Sequence, residues 1–328
     1  MNKELQNGHT KGQGKSGTPN SLLIGAAVLM LPSLLPSLSS GLQFFAPGLA
    51  ACFLDSPDNR RLKLAVMTGV FIFGGLMLVL LGRPESMLLL AQSFAIAAIL
   101  LVATWAERTA PEALIACSLC LAVLSVTILF LSSGGRPLAA YDSVIHEVAL
   151  QFDKGIEIYK ENAGGQVPAQ LDEIMSQIKD TLIAYFPGIL GTLFVFLSLV
   201  NIYAFSTCGK ARRNPHVLGP EFQRWKMPQW LIWAFIISGF VALYPGEGVS
   251  TYGKNAVTIV SIFYLLQGFA VMRFFFQTMK TPAFVRWLVY LLIGIQWYGL
   301  LMVVFTGLMD NWFDFRQRLE NNRKALDE

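Results

Sequence analysis

The chain has 328 residues, of which 25 are Lys or Arg and 21 are Asp or Glu. Charged residues make up 14% and apolar types 54%, with a mean hydropathy of +0.52, whereas soluble domains carry about 25% charge. That balance excludes a soluble globular domain, a disordered chain and a disulfide-knotted scaffold, and the net charge of +4 gives no argument for nucleic-acid binding.

Apolar stretches recur at about 20 residues, the length that spans a bilayer as a helix. The expected fold class is all-α, a polytopic transmembrane helical bundle of eight or nine spans. Residues 1–20 are polar and lack a signal-peptide layout, so they read as a disordered cytoplasmic tail. Residues 21–131 form the N-terminal transmembrane helices. Within them, 22–54 is broken by Pro32, Pro36, Gly41 and Pro47, and two short helices, 21–38 and 41–54, are expected. Spans follow at 62–81, 87–105 and 111–131.

After 132–135 the pattern changes. Tyr141, Ile145, Val148, Phe152, Ile156 and Tyr159 recur at helical spacing, which puts them on one face. Gly164-Gly165 breaks that helix and Pro168 opens another. Residues 132–181 are therefore expected to be an external amphipathic helical hairpin. Residues 182–309 hold the C-terminal spans, at 182–206, 228–245, 255–276 and 284–309, and 310–328 is a charged tail.

The 207–227 loop carries five basic residues against one acid, and 136–181 carries four against eight. The positive-inside rule makes the loop cytoplasmic and the hairpin external, with the N-terminus cytoplasmic in a bacterial inner membrane. Nine crossings place the tail outside, while its Arg316, Arg318, Arg323 and Lys324 argue for inside. Sequence leaves that side open.

No catalytic constellation is present. Residues 8–16 mimic a phosphate loop, but the spacing fails and no strand precedes them. Cys117 and Cys120 lie in an apolar helix and read as packed small side chains. His146 lacks the second His of a zinc helix. The chain reads as a non-enzyme with no cofactor and no metal.

The informative polar residues lie inside spans. Gln92, Gln267, Gln296 and Trp297 are the candidate lining of a small-molecule pocket, with Asn201 and Arg273 nearby in the pattern. Interhelical hydrogen bonding is the competing reading. Ala91, Ala95 and Ala98 on one span, and Gly188 with Thr192 on another, form small-residue faces suited to helix packing or a partner subunit.

The C-terminal segment Gln296-Trp297-Tyr298-Gly299 followed by Gly307-Leu308-Met309-Asp310-Asn311-Trp312-Phe313-Asp314-Phe315-Arg316 resembles the YybS-like bacterial membrane proteins. Such proteins are in turn similar to the substrate-binding S-components of energy-coupling-factor transporters. The resemblance implies a subunit that captures a small-molecule ligand and works with a transmembrane coupling subunit and cytoplasmic ATPases. The other reading of the chain is a scaffold of a membrane complex, with the hairpin and the 207–227 loop as its contact surfaces.

Overall fold

The computed structural model describes residues 18–34, 39–55, 60–83, 86–162, 169–207 and 221–318. The tail before residue 18, the hairpin turn at 163–168, the 208–220 part of the basic loop and the chain beyond 318 lie outside the described residues.

Every regular element described is helical. α1 (Thr18–Leu34), α2 (Ser39–Gln43) and α3 (Ala46–Leu54) come from the Pro-broken first stretch. α1 thus begins inside the expected tail. Pro47 sits in the first turn of α3, where its missing N–H costs nothing. α3 is short but central: Ala50 and Ala51 are fully buried, and it packs on α1, α5 and α8. α4 (Arg60–Leu80) lies on the outside of this group, and its Ile72, Leu76 and Leu80 are exposed as lipid-facing residues would be.

α5 (Met87–Trp105) and α6 (Ala110–Ser132) form an antiparallel hairpin. Its turn includes Glu107 in the left-handed region at φ 52°. Thr109 and Glu112 close a capping box on α6, satisfying two donors that a helix start leaves unpaired.

α7 (Pro137–Asn162) is the first arm of the expected hairpin, but the second arm has no end of its own. α8 runs unbroken from Ala169 to Thr207, 39 residues, about 58 Å at 1.5 Å per residue. The boundary expected at 181 is therefore not a break, because the apolar face of 171–182 continues in phase into the span. Lys179 and Asp153 tie the two arms at 2.6 Å.

α9 (Leu231–Ala242) and α10 (Glu247–Thr278) form a second hairpin. α9 has 12 residues, about 18 Å, well under a bilayer core of about 30 Å. The stretch expected as one span at 284–309 is two helices, α11 (Ala283–Ile295) and α12 (Trp297–Phe313), bent by 109° at Gln296.

Among the described residues, four helices are long and apolar enough to cross a membrane, or five if the bent pair is one span, short of the eight or nine spans expected. Three shorter apolar helices, Ser21–Leu34, Leu64–Leu80 and Leu231–Ala242, stand beside them.

Candidate functional site

The polar groups inside this apolar bundle collect at three junctions, and each junction joins helices distant in sequence. The first lies between α2, α3 and α8. Asn201 is fully buried. Its Oδ1 accepts from the Gly48 N–H at 2.7 Å, and its Nδ2 donates to the carbonyls of Gln43 at 3.1 Å and Leu197 at 2.9 Å. One amide therefore serves the last carbonyl of α2 and an early N–H of α3, groups that a broken helix leaves unpaired. The contact needs glycine, since a Cβ on residue 48 would sit 2.3 Å from the Asn201 carbonyl oxygen.

The second junction repeats the device. Pro187 lies inside α8, and Asn255 of α10 bonds the backbone beside it. Its Oδ1 accepts from Gly188 N–H at 2.7 Å and its Nδ2 donates to the Ala184 carbonyl at 2.8 Å. In an unbroken helix these two groups pair with each other. In both junctions a Pro-Gly pair sits against an Asn of another helix.

The third junction is the densest. Gln267 of α10 is fully buried. Its Oε1 accepts from Met227 N–H at 2.9 Å, and its Nε2 donates to Asp310 Oδ2 at 3.1 Å and Asn311 Oδ1 at 3.3 Å. Asp310 is 1% exposed and pairs with Arg316 at 2.5 Å. Arg316 also donates to the carbonyls of Gln223 and Trp225, each at 2.9 Å. A buried carboxylate is tolerable in such a place only when paired. Lys226 forms an ion pair with Asp314 just outside. Beneath, α10 and α12 touch backbone to backbone: a Cβ on Gly268 would lie 2.0 Å from the Val303 carbonyl oxygen, and one on Gly307 2.1 Å from that of Tyr264.

This junction ties the start of the tail to the basic loop. Arg316 and Asp314 bind the 223–226 segment directly, so the start of the tail lies on the same face as the basic loop. The 109° bend at Gln296 breaks the last of the nine expected crossings.

Three buried polar atoms at the junction have no partner among the described residues: Asp310 Oδ1, Asn311 Nδ2 and the Tyr264 hydroxyl. The hydroxyl faces Asn311 but lies outside hydrogen-bond geometry.

The four expected pocket residues do not converge. Gln92 is buried in α5 and donates to Ser125 of α6 at 3.4 Å. Gln267 belongs to the junction just described. Gln296 is exposed at the bend, and the Trp297 side chain lies outside the description. The small-residue faces also divide. Gly188 packs on Asn255, and its neighbour Gly191 on Ile259 of α10, so that face serves packing within the chain. Thr192 donates to the Gly188 carbonyl at 2.9 Å. Ala91, Ala95 and Ala98 are only partly buried, while the adjacent Ser93, Ile96 and Ala97 face the core.

Asn255 and Asp310 are absent from the expected site. Asn255 opens a span and reads as its polar edge. Asp310 opens the charged tail and reads as solvated. The usable signal is the Pro-Gly pair, which announces a helix break in need of a partner.

Residues 23–311 match the family described as "Predicted membrane protein (DUF2232)". The chain belongs to that family. The matched stretch contains Asn201, Asn255, Gln267 and Asp310, and ends at Asn311, before Arg316. No curated protein and no solved structure matches the chain.

Proposed function

We propose that this family member is a non-catalytic scaffold or assembly subunit of a membrane complex, in the bacterial cytoplasmic membrane. The observation that supports it most is α8. Its apolar face, with Ile174, Ile178, Tyr185 and Ile189, lines an open groove of about 430 Å³ that runs from the charged hairpin arm into the span. Lipid covers such a face inside the bilayer, and a protein partner of matching length is needed to cover it outside. The buried amides lend support too, since they act as fasteners between helices and give the partner a fixed surface.

Counting α4, α5, α6, α8, α9 and α10 as crossings gives six, with α1–α3 and α11–α12 each entering and leaving on one face. The positive-inside rule then puts the N-terminus, the 207–227 loop and the tail in the cytoplasm, and the hairpin outside.

Affinity recovery of the full chain from its own membrane tests the reading. Co-purifying membrane proteins lost on Ile174→Glu/Ile178→Glu, with insertion unchanged, are the expected result. Unchanged recovery rejects the hairpin as the contact surface.

A second reading follows the resemblance to transporter S-components. The unpaired Asp310 Oδ1 and Asn311 Nδ2 beside Gln267 favour it, because such atoms suit a small polar ligand. Recovery with a transmembrane coupling subunit and ATPases separates it from the scaffold.

A further inference from the structure

The corner where α10 turns into α11 gathers positive charge with no acid to balance it. Between Glu247 and Asp310 the sequence holds no Asp or Glu. Arg273 lies in the last turns of α10, Lys280 in the connecting turn and Arg286 in the first turn of α11. Among the described residues none of the three forms an ion pair. α11 packs on α12, whose one acid, Asp310, is already paired with Arg316 about 20 Å along the helix from its start.

Two of these cations converge. Phe269, Arg273 and Phe276 recur at steps of four and three, so they share one face of α10. Tyr290 of α11 rests on that face, its ring centroid 6.1 Å from that of Phe269 and 5.7 Å from that of Phe276. Arg286 lies one turn before Tyr290 on the same stripe of α11. Both guanidiniums act electrostatically on the Tyr290 hydroxyl, one from each helix. The other partly buried positions of α11 are Val289 and Ile293, so Arg286 is the charge on an otherwise apolar, protein-facing stripe. Its Nε is buried and has no hydrogen-bond partner among the described residues. A shielded donor without an acceptor costs free energy, and an anion at the corner supplies the acceptor.

The flanking surface narrows the class of anion. No residue of α11 is buried, and Phe284, Trp287 and Leu291 are 77%, 76% and 59% exposed. At 109° to α12, α11 runs across the bundle, as a helix lying in a membrane interface does. A free phosphate or an acidic protein segment would satisfy the arginines and leave this apolar face uncovered. A phospholipid covers both, since its phosphate and its acyl chains are joined.

We propose that the α10–α11 corner binds an anionic phospholipid, with its phosphate held by Arg273, Arg286 and the Tyr290 hydroxyl and its acyl chains over Phe284, Trp287 and Leu291. Two forked guanidiniums match phosphate geometry. The proposed topology puts the corner at the cytoplasmic leaflet, whose surface potential is negative.

The test is native mass spectrometry of the full chain in detergent with added phosphatidylglycerol or phosphatidylcholine of identical chains. Wild type is expected to retain the anionic lipid roughly 25-fold better, about fivefold from each arginine. Arg273→Gln and Arg286→Gln should each cut the preference to about fivefold, and the double variant should abolish it. Arg273 is exposed, so its variant reads the site even if Arg286→Gln fails to fold, with melting temperature reporting on folding. Arg108→Gln, on the α5–α6 turn, should leave the preference unchanged. Equal retention of the two lipids by wild type, a preference that survives Arg273→Gln at full size, or an equal loss in Arg108→Gln overturns the proposal. Displacement of the lipid by equimolar inorganic phosphate, or by an equimolar glutamate-rich peptide, also overturns it, since the corner is then a phosphate site or a protein-docking site. The assay needs no protein partner, so its outcome is independent of the scaffold reading.

Discussion

The side-chain amide of Asn255 stands between the Ala184 carbonyl and the Gly188 N–H, bonding each at 2.8 and 2.7 Å. A residue of α10 thus completes the hydrogen-bond ladder of α8. The same relation links Asn201 to Gln43 and Gly48. These amides satisfy backbone groups that have no water to turn to inside a bilayer.

Asn255→Leu should destabilise the protein by about 1–3 kcal/mol, the cost of stranding a buried polar group. Asn201→Leu should cost a similar amount, for the same reason. Denaturant titration in mixed micelles measures both. Pro187→Ala gives residue 187 an N–H for the Ile183 carbonyl and removes the ring that crowds the preceding turn, so that α8 can straighten and pair Gly188 with Ala184. Asn255→Leu should therefore cost less on that background, which a double-mutant cycle reads as coupling. Strict additivity would show that the amide is not completing the α8 ladder.

At the third junction, Arg316→Gln should be the most damaging single change. It leaves the Asp310 carboxylate buried without its cation, which costs about 3–5 kcal/mol. Asp310→Asn/Arg316→Gln should recover much of that loss, because the stranded charge is gone. Thermal unfolding in detergent ranks the two. A double variant no more stable than Arg316→Gln alone would count against charge burial as the cause.

The α10–α12 crossing should tolerate no side chain. Gly307→Ala places a Cβ against the Tyr264 carbonyl at 2.1 Å, so the helices must separate. Overpacking of this kind costs about 1–3 kcal/mol. Gly294, with nothing within 4 Å of its Cβ position, is the control: Gly294→Ala should be neutral. Equal melting temperatures for the two variants would refute the tight crossing.

Labelling of single cysteines should show one face shared by the basic loop and the tail. Cysteines at 226 and 318 should react with a membrane-impermeant maleimide from the same side. A cysteine at 150, on α7, should react from the other. Opposite sidedness of 226 and 318 would contradict the Lys226–Asp314 and Arg316 contacts.

Much of this architecture is legible in the sequence, for physical reasons that also mark where legibility ends. Apolar length locates α5, α6 and the spans within α8 and α10, because desolvation acts on each segment alone. The Pro-broken opening reads as two short helices, 21–38 and 41–54, where the structure has three, because Phe44-Phe45 is a further break before Pro47 opens α3. The bend at Gln296 is invisible, since 284–309 is apolar on both sides of it and only packing against α10 fixes the angle. The unbroken α8 is missed because charge ends near 180 while the helix does not. Gln267 is legible as a polar residue in a span. Its partners are not, since Met227 and Asp310 reach it from 40 and 43 residues away. Asn255 and Asp310 sit at segment edges, where polarity is ordinary.

The Pro187 joint lies where α8 leaves the apolar span for the hairpin. Two hydrogen bonds from Asn255 of α10 brace that joint beside the residue whose own N–H proline removes. The outer arm is therefore steered by its neighbour: a small rotation of α10 about its own axis would swing the arm, and a partner pulling on the arm would twist α10. The lower end of α10 carries Gln267, and through it the loop and the tail. A helix used in this way works as an axle between the two faces of the membrane.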